Sequence, residues 1–397
     1  MRANLEYVCP DDAQRDGYGA MISHAFGFPT PDAAVWFERV GHDNIRVVLH
    51  HKQVVAGLIA IPMGQFFGGA SIPTVGVAGV GVTPEMRGRG VAKWMMSTFA
   101  EESRAAGFAL SSLYGATTRL YSAVGYARSA LRARLEIDLH MLEPLRVPPG
   151  TVTSQVQGAP PEVHALYTEW ARHHPGHLDR SPGLWNRVTS PRFQTTRTFL
   201  VHEDGRLTGY TVVSHKSDGE KTKLQAWCTV ATTRNAVTAI LSIFGSYGSI
   251  TPTVTLFGSP THTLLSGLAE RHHKIDLPWY LMTRTLDVSR ALLARGYPRS
   301  TSCDLSFAVT RVASTGLAEH EAVRLVAAAG RADVRAAGEP RMFVTERAFT
   351  QLYTGFRSAN ELHGLGEITL ASPAARDDLQ ALDELFCGPA PTLPDFF

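Results

Sequence analysis

Val80-Gly81-Val82-Thr83-Pro84-Glu85-Met86-Arg87-Gly88-Arg89-Gly90-Val91-Ala92 is the stretch on which the reading of this chain turns. An apolar run enters a Gly/Arg turn, and the turn opens a helix-patterned segment. Val91, Trp94, Met95, Met96 and Phe99 fall close to a 3.6-residue repeat between Val91 and Ala106. The first N–H groups of a helix have no partners inside it, and the helix dipole favours an anion there. Glycines let a diphosphate approach the backbone, while Arg87 and Arg89 bring positive charge. The local physics is that of a pyrophosphate site. Two common phosphate loops are excluded, because neither Gly-Lys-Ser/Thr nor Gly-x-Gly-x-x-Gly is present.

Upstream, 32 residues from Gln53 to Pro84 carry no charge. That length could span a membrane, but Pro62, Pro73, Gln65 and seven glycines interrupt it, and many residues between are β-branched or aromatic. The run reads as buried strands, Val54 to Ile61 and Ser71 to Val82, with Ile45 to Leu49 before them. Leu5 to Val8 reads as a strand and Asp11 to Phe26 as a helix capped by Asp11 or Asp12. Downstream, Gly107 sits at a helix C-terminal cap and Phe108 to Tyr114 reads as a buried strand. Strand, glycine-rich turn, helix and strand make a parallel β-α-β unit.

The 397 residues suit two or three domains at about 150 residues each. Lys plus Arg is 38 against 36 for Asp plus Glu, and a net charge of +2 argues against a nucleic-acid partner. Apolar residues make up 44%, enough for sizeable cores. Cys9, Cys228, Cys303 and Cys387 form no C-x-x-C pair, which suits free thiols in a cytoplasmic protein. Met1 to Gly17 lacks the apolar region of a secretory signal. His173-His174-Pro175-Gly176-His177 is a loop with no acid or cysteine pattern beside it, so no metal is expected. Pro144 to Pro161 reads as a linker, after which Glu162 to His173 and Arg234 to Phe244 are helices among strands. Val288 to Arg295 is a short helix ending at Gly296. Leu305 to Val309 and Met342 to Thr345 read as strands, while the alanines of Val323 to Ala328 suit helix as well as strand.

The Gly/Arg turn resembles motif A of the GNAT N-acetyltransferase superfamily, which binds the pyrophosphate of acetyl-coenzyme A. About thirty residues on, Leu120-Tyr121-Ser122-Ala123-Val124-Gly125-Tyr126 resembles the segment that carries the superfamily's tyrosine. The chemistry needs such a group. When an amine attacks a thioester, the oxyanion needs an N–H donor and the leaving thiolate needs a proton. The resemblance implies that Tyr121 is the general acid and that the backbone of Val80, Gly81 and Val82 grips the pantetheine arm as an added strand would.

Over its whole length the chain resembles the enhanced intracellular survival (Eis) family of bacterial acetyltransferases. Ala78 to Tyr126, Thr283 to Tyr297 and Phe349 to Gly355 with the aromatic-ended tail carry this likeness. It implies an α+β fold of two tandem GNAT-like domains, each a mixed sheet flanked by helices, plus a C-terminal sterol-carrier-protein-like α/β domain. The expected boundaries are 1–138, 139–286 and 287–397. It also implies a homohexamer that acetylates aminoglycoside amines at several positions, or in some members lysines. Coenzyme contacts map onto Val80, Gly81, Val82, Arg87, Gly88, Arg89, Gly90, Val91, Ala92, Lys93, Ala116 and Thr117. The chain terminus is expected in the active site, with the α-carboxylate of Phe397 as general base.

The tail supports that expectation on its own terms. Pro389, Pro391 and Pro394 lower the entropy of ordering it, Phe396 and Phe397 offer apolar anchors, and burial raises a carboxylate's basicity. Phe26, Phe28, Trp36 and Phe37 are candidate walls for the acceptor pocket, with Phe396. In one respect the chain departs from the family. Where aminoglycoside-acetylating members place an acid beside the terminal residue, this chain has Phe396, and an extended tail turns Asp395 to the opposite side. A reading of another class is a non-catalytic protein that uses its sterol-carrier-like domain for lipid or for assembly.

Overall fold

A computed structural model describes residues 4–191, 194–218, 221–312 and 318–397. They group into two compact units. One comprises Met1–Ser129, Leu281–Pro389 and Phe397; the other comprises Ala130–Tyr280 and Ala390–Phe396.

The first unit opens with β1 (Leu5–Val8), α1 (Asp12–Phe26), α2 (Pro31–Val40), β2 (Ile45–His50), β3 (Gln53–Phe67) and β4 (Ala70–Val82). There follow α3 (Val91–Ala105), β5 (Leu110–Tyr114), α4 (Thr118–Ser122) and the start of β6 (Ala127–Asp138). Asp11 and Gln14 form a reciprocal capping box on α1, and Gly27 ends that helix in the left-handed conformation. Strands β1 to β4 pair antiparallel in order, and β4 then pairs parallel with β5 across α3. The β-α-β unit read from the sequence is therefore present. The uncharged run forms β3 and β4, the long hairpin at the centre of this sheet. Its lack of charge follows from burial: Val55, Leu58, Val75 and Val77 pack against Val91, Met95, Met96 and Phe99 of α3 in one cluster. Gln65, the polar interruption, is buried and accepts a hydrogen bond from Ser112 Oγ at 3.0 Å.

The second unit holds β7 (Thr151–Val156), α5 (Pro161–Arg172), β8 (Leu178–Asp179), α6 (Pro182–Thr189), β9 (Thr196–Glu203) and β10 (Arg206–Asp218). After these come β11 (Lys221–Ala231), α7 (Arg234–Gly245), β12 (Thr253–Gly258) and the first part of β13 (His273–Thr285). The strand order is β6-β12-β11-β10-β9-β7, again with a parallel pair, β11 and β12, across a helix. The stretch 144–161 is more than a linker. Its residues 151–156 pair with β9 as an edge strand, a partnership set by residues some fifty positions away and invisible in local composition.

The chain then returns to the first unit. Residues 281–285 pair antiparallel with β5, and α8 (Val288–Ala294) follows. Next come β14 (Cys303–Val312), β15 (Ala318–Ala328), β16 (Arg331–Ala336), β17 (Met342–Thr345), α9 (Glu346–Thr354), α10 (Ala359–Gly364), β18 (Ile368–Leu370) and α11 (Arg376–Phe386). The strands form a separate sheet in the order β16-β15-β14-β17-β18. The alanine-rich segment 323–328 is strand, because it is paired on both sides, with β14 and with β16. Phe67, Ile72, Ala109 and Leu110 share one core with Val288, Leu292, Phe307, Phe349 and Leu385. The N- and C-terminal thirds are thus one hydrophobic body.

Candidate active site

The cofactor end of the site is made by main chain. β4 pairs with β3 as far as Ala56↔Val82, but an extra residue sits between the pairs Gly57↔Gly81 and Ile59↔Ala78. Gly79 lies in this bulge at φ 62°, and its carbonyl accepts from Tyr18 Oη at 2.7 Å. On the other side, the β4–β5 ladder ends at Val77↔Leu113. Beyond it the two strands share no ladder pair among the described residues, and Val80, Gly81 and Val82 lie in that parted segment. A single 3-10 turn, Pro84–Met86, leads to Arg87, whose Nε donates to the Val82 carbonyl at 3.1 Å. Gly88 and Gly90 have φ 73° and 81°, and a Cβ at either would meet nothing within 4 Å. Glycine is needed there for its dihedral, and the space above it is open. α3 begins at Val91 with no side-chain cap, whereas Asp11 caps α1 and Thr233 caps α7. Arg87, Arg89, Lys93, Ala116 and Thr117 are exposed and Ala92 is half-buried. An uncapped helix N-terminus beside exposed cations is chemically suited to a diphosphate.

The other end carries the two candidate proton-transfer groups. Tyr121 is buried on α4, its ring lying against Gly115, where a Cβ would come within 2.9 Å of Cδ2. Tyr126 meets it edge-on at 6.1 Å and is itself held by Ser111 through a 2.6 Å hydrogen bond. Burial pushes the Tyr121 hydroxyl up to about 12, so it stays protonated at neutral pH. Among the described residues that hydroxyl has no hydrogen-bond partner. The Phe397 ring is also buried. It fills the place of a side chain at Gly76, whose Cβ would come within 2.8 Å of it, and it lies 5.7 Å from the Tyr114 ring. Gly76 is one residue before the last β4–β5 pair and Tyr114 one residue after it. The terminal residue therefore sits where the two strands part.

The candidate acceptor residues do not all face one place. Trp36 is half-buried. Its indole lies over the Gly79 bulge, its Nε1 is buried without a hydrogen-bond partner, and Phe28 meets it edge-on at 6.4 Å. Phe26, at the end of α1, is 53% exposed. Phe37 is core: it is 4% exposed and stacks on Tyr18 at 5.3 Å, which removes it from the pocket walls. Phe396 belongs to the second unit, half exposed, 6.3 Å from Trp279 and beside the Arg132 guanidinium.

Sequence reasoning missed the residues that hold the tail. Arg180 pairs with Asp395, Arg132 Nε donates to the Pro394 carbonyl at 3.0 Å, and Arg187 Nε donates to the Phe396 carbonyl at 3.2 Å. The histidine loop belongs to this set as well. His174 stacks on Trp170 and the buried His177 is 3.3 Å from Thr392 Oγ1. A buried arginine needs a partner, but no local pattern marks which arginines are buried.

Comparison with known proteins bears on the domains. Residues 10–129 and residues 176–285 each match a model of the acetyltransferase (GNAT) domain, and residues 288–394 match a sterol carrier protein domain. The chain belongs to the GNAT acetyltransferases. Its order of two GNAT domains and a sterol carrier protein domain is that of the Eis-like family. This GNAT acetyltransferase is similar to a GCN5-related N-acetyltransferase from Anabaena variabilis, with a TM-score of 0.91 and 25% identity over 99% of this chain and 100% of that one. Eis1 from Mycobacterium abscessus shares the fold, with a TM-score of 0.75 and 18% identity over 99% of both chains. An uncharacterized N-acetyltransferase of Streptomyces avermitilis is 30% identical over 165 residues, 38% of this chain and 40% of that one. The match thus spans well under half the length of that curated relative.

Proposed function

We propose that this chain transfers the acetyl group of acetyl-CoA to a primary amine, with aminoglycosides as the first class of acceptor to test. The carrying observation is the parting of β4 from β5 at Val77↔Leu113, with an uncapped, glycine-led helix at one end and Tyr121 and Phe397 at the other. The open space above Gly88 and Gly90 fits a diphosphate, and the parted edge of Val80 to Val82 fits a pantetheine amide chain. Bound acetyl-CoA supplies the activated acyl group as a thioester.

The chain's own groups then do the following. The Phe397 α-carboxylate takes a proton from the acceptor ammonium or from the attacking amine, which forms the C–N bond. A backbone N–H of the parted β4 segment, near Val82, donates to the developing oxyanion. Tyr121 Oη gives its proton to the departing sulfur as the C–S bond breaks. Phe26 and Trp36 supply apolar and π surface to the acceptor. Asp395 is committed to Arg180 and adds no free negative charge for a polycation. The same reading makes the protein a cytoplasmic homo-oligomer, a hexamer by family likeness, with working boundaries 1–138, 139–286 and 287–397. Its four cysteines are free, and no helix among the described residues is long and apolar enough to cross a membrane.

The test is release of free coenzyme A thiol from acetyl-CoA in the presence of aminoglycosides, a lysine peptide and simple alkylamines. Turnover with at least one amine is expected. Tight acetyl-CoA binding with no thiol release across the panel would refute the reading. A ranking led by the peptide or the alkylamines would replace the aminoglycosides as acceptor.

A further inference from the structure

The second unit repeats the device that opens the first, and then closes it. β11 carries an extra residue against β10, the register moving from Val212↔Cys228 to Val213↔Ala226. Its parallel ladder with β12 ends at Ala226↔Leu256. This is the bulge and parting found at Gly79 and Val77 in the first unit. The anion position at the following helix is taken, however. Thr233 Oγ1 caps Ala236 N at 3.0 Å, and the Glu203 carboxylate accepts hydrogen bonds from Thr233 and from Asn235. A carboxylate of the chain itself occupies the place a phosphate would need.

The chain's own tail is held beside the parting, through two arginines. Cys228, beside the bulge, accepts from Arg180 Nη1 at 3.3 Å. The same guanidinium grips Asp395 with two prongs, Nε to Oδ1 at 2.9 Å and Nη2 to Oδ2 at 3.2 Å, and lies 3.8 Å above the Tyr167 ring. Both side chains are buried, at 0% and 5% exposure. Phe257, one residue past the last ladder pair, lies 3.7 Å beneath Arg132, which holds the Pro394 carbonyl. The main chain of Leu131 brackets the tail, donating to Pro391 and accepting from Leu393, both at 2.9 Å.

We propose that the second GNAT fold is a docking module for the C-terminus of its own chain, and that the Arg180–Asp395 clasp is the positioning device that sets the Phe397 α-carboxylate. This rests on the reading of Phe397 as general base. A buried ion pair adds little stability relative to an apolar pair, but a two-pronged arginine–carboxylate contact fixes distance and angle. Asp395 is two residues from the terminus, a reach of at most about 7 Å. Little slack remains in that span, so a shift at Asp395 is passed on to the carboxylate. An error of about 1 Å in a reacting group can cost about 100-fold in rate.

The experiment compares four full-length proteins: the parent, Asp395→Glu, the doubly neutral Arg180→Met/Asp395→Leu, and the parent with two glycines added after Phe397. Asp395→Glu retains the ion pair and moves the terminus by a methylene, so it reports even if the neutral pair fails to fold. Both clasp variants are expected to lose about 100-fold in kcat at pH 7 while acetyl-CoA Kd stays unchanged. The deficit should shrink towards parity near pH 10.5, where about half or more of an ordinary amine is neutral without a base. A deficit equal at every pH would overturn the proposal, as would parent-like kcat at pH 7 in the clasp variants. If those variants are fully active while the glycine-extended chain is dead, the clasp fails and the base stands. If the extended chain is fully active, the base reading fails and the clasp with it.

Discussion

Tyr121 and Phe397 each rest in a space that only a glycine leaves open, Gly115 for one and Gly76 for the other. Burial does two things to Tyr121. It fixes the ring, and it raises the hydroxyl to about 12 by penalising the phenolate. The sign follows directly: the neutral, proton-donating form persists until the pH approaches about 12, so Tyr121 contributes no alkaline fall in rate between pH 7 and 10. Replacing Tyr121 by Phe keeps the packed ring against Gly115 and deletes only the proton donor. We expect kcat to drop about 100-fold or more with acetyl-CoA Kd unchanged, read by steady-state kinetics and calorimetry on the same preparation. A Tyr121→Phe protein with parental kcat would remove this residue from the proton path.

At the scale of elements, β4, the Gly/Arg turn and α3 do with main chain what many sites do with side chains. The bulge at Gly79 and the end of the β4–β5 ladder expose backbone, and the left-handed residues Gly88 and Gly90 aim the turn so that α3 begins uncapped. Gly90→Ala separates geometry from packing, because the new Cβ would meet nothing within 4 Å. The left-handed dihedral should cost about 1 kcal/mol of stability, a small loss in a chain this size. The effect on the cofactor should be larger: a roughly ten-fold rise in acetyl-CoA KM, as the methyl would stand where the proposed reading brings the diphosphate, with kcat at saturation nearly unchanged. The reverse pattern, a lower kcat at constant KM, would mean that this turn does not hold the diphosphate.

Across the whole molecule, what the sequence discloses is what is local. The strand–turn–helix could be read because adjacent residues in order make it, and Tyr121 could be named as a candidate because it follows at a fixed interval. The edge strand 151–156 and the burial of Phe37 in the core were not legible, and the strand 318–328 was legible only as one of two alternatives over 323–328, since each depends on distant partners. Asp395 and Arg180 lie 215 residues apart, so the clasp leaves no local trace. The tail-holding unit has a further consequence. It buries His177 and His262 in neutral form; desolvation lowers both first, with His174 adding to each, and His262 falls to about 4. An unfolded histidine titrates near 6.5, so the unfolded chain takes up protons first. The stability this contributes is therefore fully present above about pH 6.5 and declines below it, and the His262 share is lost once the pH passes about 4. For His262 alone the loss from pH 7 to pH 5 comes to about 2 kcal/mol. His262→Asn can keep the cap on Leu264 N, which His262 Nδ1 accepts at 3.2 Å, while removing the titration. Urea midpoints at pH 7 and pH 5 should then fall less in the variant than in the parent, even where the variant starts lower. Equal falls in the two proteins would mean that His262 takes up no proton on unfolding, and that the acid sensitivity of this unit lies elsewhere.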